Sequence, residues 1–289
     1  MNWLVYHIVS GHSFFTGVAL LIIAVMASTR PQRILNRITV LAFLIGVFAI
    51  VLSSTAIPYW LYAVATVIAC GWIVSRFKKS WHPKAAYLTA AIWFVAVLFE
   101  LPYHLTPSLN STPRRSVAVI GDSVTAGVGG DETSETWPSI LARERQLDVQ
   151  DISHMGETAA SALKRAKSNQ ITASVVVVEI GGNDVLGFTS AGQFAQDLDA
   201  LLSHLAVDGR QLLMFELPLP PLCHEYGRAQ RQLAAKYNVR LIPKRVFLSV
   251  IAGGNATLDT IHLSQSGHQA MADCVWRLVR SAFNPNSAS

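Results

Sequence analysis

Apolar positions are spread unevenly along this chain. Leu4 to Thr29 is uncharged and mostly apolar, and no charged residue occurs between Arg37 and Arg76. The second gap is too long for one bilayer crossing, which takes about 20 apolar residues. Ser53-Ser54-Thr55 and Pro58 lie in its middle. Proline disfavours helix at the residue before it, so the pattern predicts a turn at 53–58 between two helices, roughly 35–53 and 58–75. Ala85 to Phe99 is a further apolar run, closed by Pro102 and Pro107. The expectation is a four-helix transmembrane region over 1–105, its last helix the shortest. Val25-Met26-Ala27 would suit a signal peptidase, but no Lys or Arg precedes the first run, and the run is longer than a usual signal core. It is therefore read as a retained helix.

The pattern changes after a linker at 106–116, rich in Pro, Ser and Thr. Short apolar runs at Val117–Ile120, Val149–Ile152, Val175–Val178, Gln211–Leu217 and Val239–Ile242 predict strands. Val175 to Val178 is four β-branched residues in a row, as in a strand buried on both faces. Between and after them, 138–146, 158–170, 193–205, 225–237 and 266–282 carry helical spacing. Five strands alternating with helices predict an α/β domain over 117–289, a parallel sheet covered on both sides. The order of the strands is not readable from this pattern.

Charge separates the two halves. Residues 1–109 hold 7 Lys/Arg against 1 Asp/Glu, and residues 110–289 hold 16 against 17. The basic character thus belongs to the apolar half and does not point to nucleic acid. With 51% hydrophobic and 14% charged residues, the chain is not a disordered one. Arg30, Arg33 and Arg37 fall between helices one and two, and Arg76, Lys78, Lys79 and Lys84 between helices three and four, whereas 53–58 has no basic residue. Basic loops stay cytoplasmic. The expected placement is a multi-pass protein of the cytoplasmic (inner) membrane with residues 117–289 extracytoplasmic. His7, His12, Glu100 and His104 would lie near the outer end of the helices, as interfacial groups or helix–helix hydrogen bonds. Cys70, Cys223 and Cys274 fit no metal spacing; Cys223 and Cys274 are read as free thiols that an oxidising compartment could bridge.

Strand ends are where α/β sheets build sites. Gly121-Asp122-Ser123 follows the first strand and can present a serine hydroxyl, which needs a base to become nucleophilic. Gly156-Glu157-Thr158 follows the second, where a glycine N–H can meet an anion. Gly181-Gly182-Asn183-Asp184 follows the third and carries a carboxamide donor. Asp259-Thr260-Ile261-His262 lies late in the chain, with Asp and His on one face of a turn. Each has a plainer reading as a cap or turn.

Together, in this order, the four segments resemble the blocks of the SGNH, or GDSL-type, hydrolase family. Trp137-Pro138, downstream of the first block, adds to the resemblance, which spans about 116–282 and leaves the apolar half uncovered. It implies a flavodoxin-like three-layer sandwich with nucleophile Ser123, base His262 and orienting Asp259. The oxyanion hole it implies consists of the N–H groups of Ser123 and Gly156 and the side chain of Asn183. No metal or other cofactor is implied. Met155 departs from the small residue common before the second-block glycine, which bears on the width of the acyl pocket. His268, Glu157, Glu179 and Asp184 read as structural or network residues. The function that follows is a membrane-anchored serine ester hydrolase, with an acyl ester as substrate and membrane lipid as neighbour. An acyltransferase using the same acyl-enzyme is the alternative, and a binding module with a dead site is a third reading.

Overall fold

The computed structural model describes residues 1–30, 32–77, 81–127, 135–259 and 261–283. Lys78, Lys79 and Thr260, named above, lie outside the described residues. The chain forms two compact units: Asn2–His104 with Pro218–His224, and Leu105–Leu217 with Glu225–Ser289.

The first unit contains α1 (Trp3–Val9), α2 (His12–Ala27), α3 (Arg33–Leu52), α4 (Tyr59–Ser75) and α5 (His82–Glu100). The first apolar run is therefore two helices, meeting at 85°. The break falls at Ser10-Gly11, where Gly11 takes a left-handed φ of 84°. A helix break in apolar surroundings leaves carbonyls that need donors. The buried Ser53-Ser54-Thr55 segment supplies them: Ser54 donates from N to Ile8 O (3.1 Å) and from Oγ to Val9 O (2.8 Å). The segment expected as a plain turn thus also stitches α3 to the α1–α2 break. Lower in the unit, α2 and α3 approach through glycines. A Cβ on Gly17 would lie 2.7 Å from Gly46 O, and one on Gly46 would lie 2.9 Å from Gly17 O. Such small-residue contacts are a usual way for apolar helices to pack in lipid.

By length and apolarity, Arg33–Leu52 and His82–His104 could cross a membrane among the described residues, and the bent α1–α2 pair passes only as one span. The shortest of the later helices is α4, with 17 residues, whereas α5 has 19. This reverses the expected ranking, because α5 starts at His82, ahead of the apolar run, with Pro83 in its first turn. Near the end of α5, Glu100 is buried with its Oε1 3.3 Å from His104 Nε2. His104 stacks on His12, with ring centroids 6.0 Å apart, and His7 Nε2 lies 2.9 Å from Thr16 Oγ1.

The second unit carries a five-stranded sheet: β1 (Ser116–Gly121), β2 (Asp148–Asp151), β3 (Val175–Glu179), β4 (Gln211–Phe215) and β5 (Arg240–Ile242). All pairings are parallel and the order is β2-β1-β3-β4-β5. That order is flavodoxin-like, with its topological switch point between β1 and β3. Short helices α6 (Ser123–Ala126) and α9 (Gly182–Leu186) follow β1 and β3. The longer ones are α7 (Trp137–Arg145), α8 (Ala159–Ser168), α10 (Ala191–Leu205), α11 (His224–Lys236), α12 (Lys244–Ile251) and α13 (Gln265–Phe283). Val117, Val119, Val175, Val177, Leu213 and Phe215 pack with α7, α12 and α13 on one face. Strand alternation turns Ala118, Ile120, Val176, Val178, Leu212 and Met214 to the opposite face, and all six are buried. The α12 helix was not legible in the sequence: it is eight residues long and begins directly after Pro243.

Candidate active site

Three segments at the carboxyl ends of β1, β2 and β3 meet a loop before α13. The β1–β3 register pairs Gly121 with Glu179, so the residues after each strand emerge side by side. Asp122 is the N-cap of α6, its Oδ1 accepting the Val124 N–H at 2.9 Å. Ser123 is then the first residue of the helix, where a backbone N–H has no partner within the helix.

The segments 256–259 and 261–264 are held to each other by backbone contacts. Leu258 N donates to His262 O (2.8 Å), Ser264 N to Ala256 O (2.9 Å), and Thr257 bridges Leu263. Within them, Asp259 Oδ1 accepts the N–H groups of Ile261 (2.7 Å) and His262 (2.8 Å). Asp259 Oδ2 lies 2.6 Å from His262 Nδ1, and His262 Nε2 lies 3.2 Å from Ser123 Oγ. The Ile261 N–H, then the His262 ring and N–H, hold the Asp259 carboxyl well below the usual carboxylate range. An ionised Asp259 only accepts, so Nδ1 carries the ring proton of neutral His262 and Nε2 is left to accept from Ser123.

Gly156 sits in a left-handed conformation (φ 74°) with open space where a Cβ would be. Among the described residues, neither its N–H nor that of Ser123 donates to a protein acceptor. Asn183 Nδ2 donates to Asp122 Oδ2 (3.2 Å) and to Glu157 O (3.1 Å). Four of the five residues named from the sequence therefore lie in two hydrogen-bonded groups, Ser123–His262–Asp259 and Asn183 with Asp122, joined through the Asp122-Ser123 peptide; the fifth, Gly156, directly precedes Glu157, whose carbonyl accepts from Asn183.

Carboxylates crowd the floor of this site. Glu179 is buried, and its Oε2 accepts Thr125 Oγ1 (3.0 Å) and the Asp122 N–H (3.3 Å). Burial, and then the Asp122 charge, push the Glu179 carboxyl well above its ordinary range. Burial also raises Asp122 and Asp184. Asp184 Oδ2 accepts the Ala159 N–H at 3.0 Å, and Glu157 pairs with Arg165 at 2.7 Å. His268 accepts the Trp137 N–H at Nδ1 (3.3 Å), and burial lowers its pKa, so it ties α13 to α7 as a neutral ring. Met155 is exposed, and Cys70, Cys223 and Cys274 are free thiols. Sequence reasoning saw Glu179 as a network residue but missed Thr125. The available signal was a charged residue closing a run of four valines.

A flavodoxin-like sheet with serine, histidine and aspartate gathered near its switch point is the arrangement of an α/β ester hydrolase. The profile of the GDSL-like lipase/acylhydrolase family matches residues 119–270, more than half of the chain, and the chain belongs to that family. It is similar to Esterase TesA of Pseudomonas aeruginosa, 29% identical over 181 residues that cover 57% of this chain and 88% of the relative. It is likewise similar to Thioesterase 1/protease 1/lysophospholipase L1 of Escherichia coli, 29% identical over 184 residues covering 60% and 86%. A crystal structure of TesA superposes with a TM-score of 0.50 at 27% identity, covering 58% of this chain and 99% of that one. The esterase EstA from Pseudoalteromonas sp. shares the fold at a TM-score of 0.51 and 20% identity, over 57% and 97%. The family match leaves the N-terminal helices uncovered.

Proposed function

We propose that this chain is a membrane-anchored serine ester hydrolase, with Ser123 as nucleophile, His262 as base and Asp259 orienting it. It acts on lipid or other acyl esters at the outer face of the cytoplasmic membrane. The observation that carries the reading is the position of His262, within hydrogen-bond reach of both Ser123 Oγ (3.2 Å) and Asp259 Oδ2 (2.6 Å). Ser123 Oγ bonds to the acyl carbon while its proton passes to His262 Nε2 and the carbonyl pair moves onto oxygen. The N–H groups of Ser123 and Gly156 and Asn183 Nδ2 receive that oxyanion. On collapse the C–O bond breaks, and the alkoxide leaves with the proton from His262. Water, deprotonated by His262, attacks the acyl-enzyme; the acid departs and Ser123 is restored. The relatives from Pseudomonas aeruginosa and Escherichia coli bear the names esterase, thioesterase and lysophospholipase, which supports an acyl ester as substrate.

A rate profile tests the reading. The detergent-solubilised protein is expected to cleave p-nitrophenyl esters, with a rate that depends on acyl length. Acid is expected as the product even with an added alcohol. Ester appearing at the expense of acid would turn the assignment to acyl transfer.

The membrane placement has its own test. A phosphatase fused after Ser289 is expected to be active, and a fluorescent protein fused there dark. Both are motivated by the basic residues at the start of α3 and following α4, and by their absence at 53–58. The reverse pattern would put the hydrolase unit in the cytoplasm.

A further inference from the structure

We propose that Asp122, backed by Glu179, is a positioning residue that aims the Asn183 carboxamide at the oxyanion. The proposal rests on the catalytic reading above and adds a residue pair to it. The geometry is specific. Asp122 divides its two oxygens, Oδ1 taking the Val124 N–H and Oδ2 taking Asn183 Nδ2. An amide can turn over, exchanging its oxygen for its nitrogen, and only the nitrogen stabilises an oxyanion. A carboxylate oxygen facing the amide admits only the nitrogen, so Asp122 fixes the sense of Asn183.

Glu179 sets the charge of this arrangement. It is buried behind Asp122, takes the Asp122 N–H and the Thr125 hydroxyl on Oε2, and forms no ion pair with any described Lys or Arg. Two ionised carboxylates at this depth would repel strongly. The pair is therefore assigned one proton, on Glu179, whose carboxyl burial and then the Asp122 charge push up further than burial pushes Asp122. The other ionisable groups that Asp122 senses are His262 and Asp184. With one proton, the pair brings a single negative charge to the back of Asn183. A second charge there would oppose the oxyanion that Asn183 serves.

A double-mutant cycle separates positioning from support. In Asp122→Asn the new side-chain oxygen still caps α6, while its NH2 meets Asn183 Nδ2, a donor against a donor. In the otherwise native protein this is expected to lower kcat about tenfold with KM little changed, the coupling expected between contacting residues. In an Asn183→Ala background it is expected to lower kcat less than about twofold. An equal loss in both backgrounds would overturn the proposal, because Asp122 would then act on the Ser123 turn alone. Glu179→Gln mimics the protonated acid and is expected to retain far more kcat than Glu179→Ala.

Stability gives a second readout. A carboxyl raised in the folded state is fully compatible with folding below its unfolded pKa, and it destabilises progressively as pH rises toward the folded value. The Tm of Glu179→Gln relative to the native protein should therefore increase between about pH 5 and 8. A difference independent of pH would overturn the shared proton. A folded Ser123→Ala variant that still turns over would instead mean that the catalytic reading had failed.

Discussion

Replacing Ser123 by alanine is expected to abolish ester hydrolysis, and replacing His262 by alanine is expected to do nearly the same. The loss in kcat should be on the order of 10⁶, the size found when a serine hydrolase nucleophile or base is removed. The double variant should lose little more, because the two act as one unit. The physical reason lies in the 3.2 Å contact between His262 Nε2 and Ser123 Oγ. A serine hydroxyl is a poor nucleophile until a base takes its proton, and a base without that hydroxyl has nothing to activate. Asp259→Asn should cost less, on the order of 10⁴. Its side-chain oxygen can still accept the Ile261 and His262 N–H groups, so the loop keeps its shape. Its NH2, however, would face Nδ1 and favour the wrong tautomer. A fluorophosphonate probe checks the assignment directly: the native protein should label and a folded Ser123→Ala should not. A folded Ser123→Ala retaining kcat within about tenfold of the native protein would refute the role given to this serine.

That site was only partly visible in the sequence, for reasons that can be located. Val175 to Val178 announced a buried strand because four β-branched residues suit little else, and β3 covers all of them. Strand order was not legible, since pairing is decided by which buried faces meet and not by any one segment. Ser123 and His262 lie 139 residues apart, and no local period links them. Only the resemblance of four short blocks to a known family brought them together. Glu179 stood out as a charge ending an apolar run, but its partner emerges only from the β1–β3 register that pairs it with Gly121. The break between α1 and α2 escaped for a different reason. Apolarity continues through Ser10-Gly11, and hydropathy carries no information about φ. Gly11 was the signal, and the donors that make the break tolerable sit more than 40 residues away, in Ser54.

Asn183→Ala is expected to lower kcat about 10²-fold, near the lower end of the 10²–10³ range for losing one oxyanion donor. The structure sets that magnitude. Both Nδ2 hydrogens are already engaged, one by the charged Asp122 Oδ2 at 3.2 Å and one by the neutral Glu157 carbonyl at 3.1 Å. A developing oxyanion competes best with the neutral acceptor, so it should take the hydrogen from Glu157 and leave the one on Asp122. Gaining a charge-assisted bond for a neutral one nets only part of the full value, since the first is roughly twice the second. The loss should fall on kcat, with KM near its native value, because the substrate's ground-state oxygen carries too little charge to displace Glu157. Asn183→Asp should be worse than Asn183→Ala. It keeps the shape but places a carboxylate against both Asp122 and the oxyanion. If Asn183→Ala costs less than about tenfold, the backbone N–H groups of Ser123 and Gly156 carry the oxyanion between them. If Asn183→Asp is as active as Asn183→Ala, the side chain does not face that charge at all.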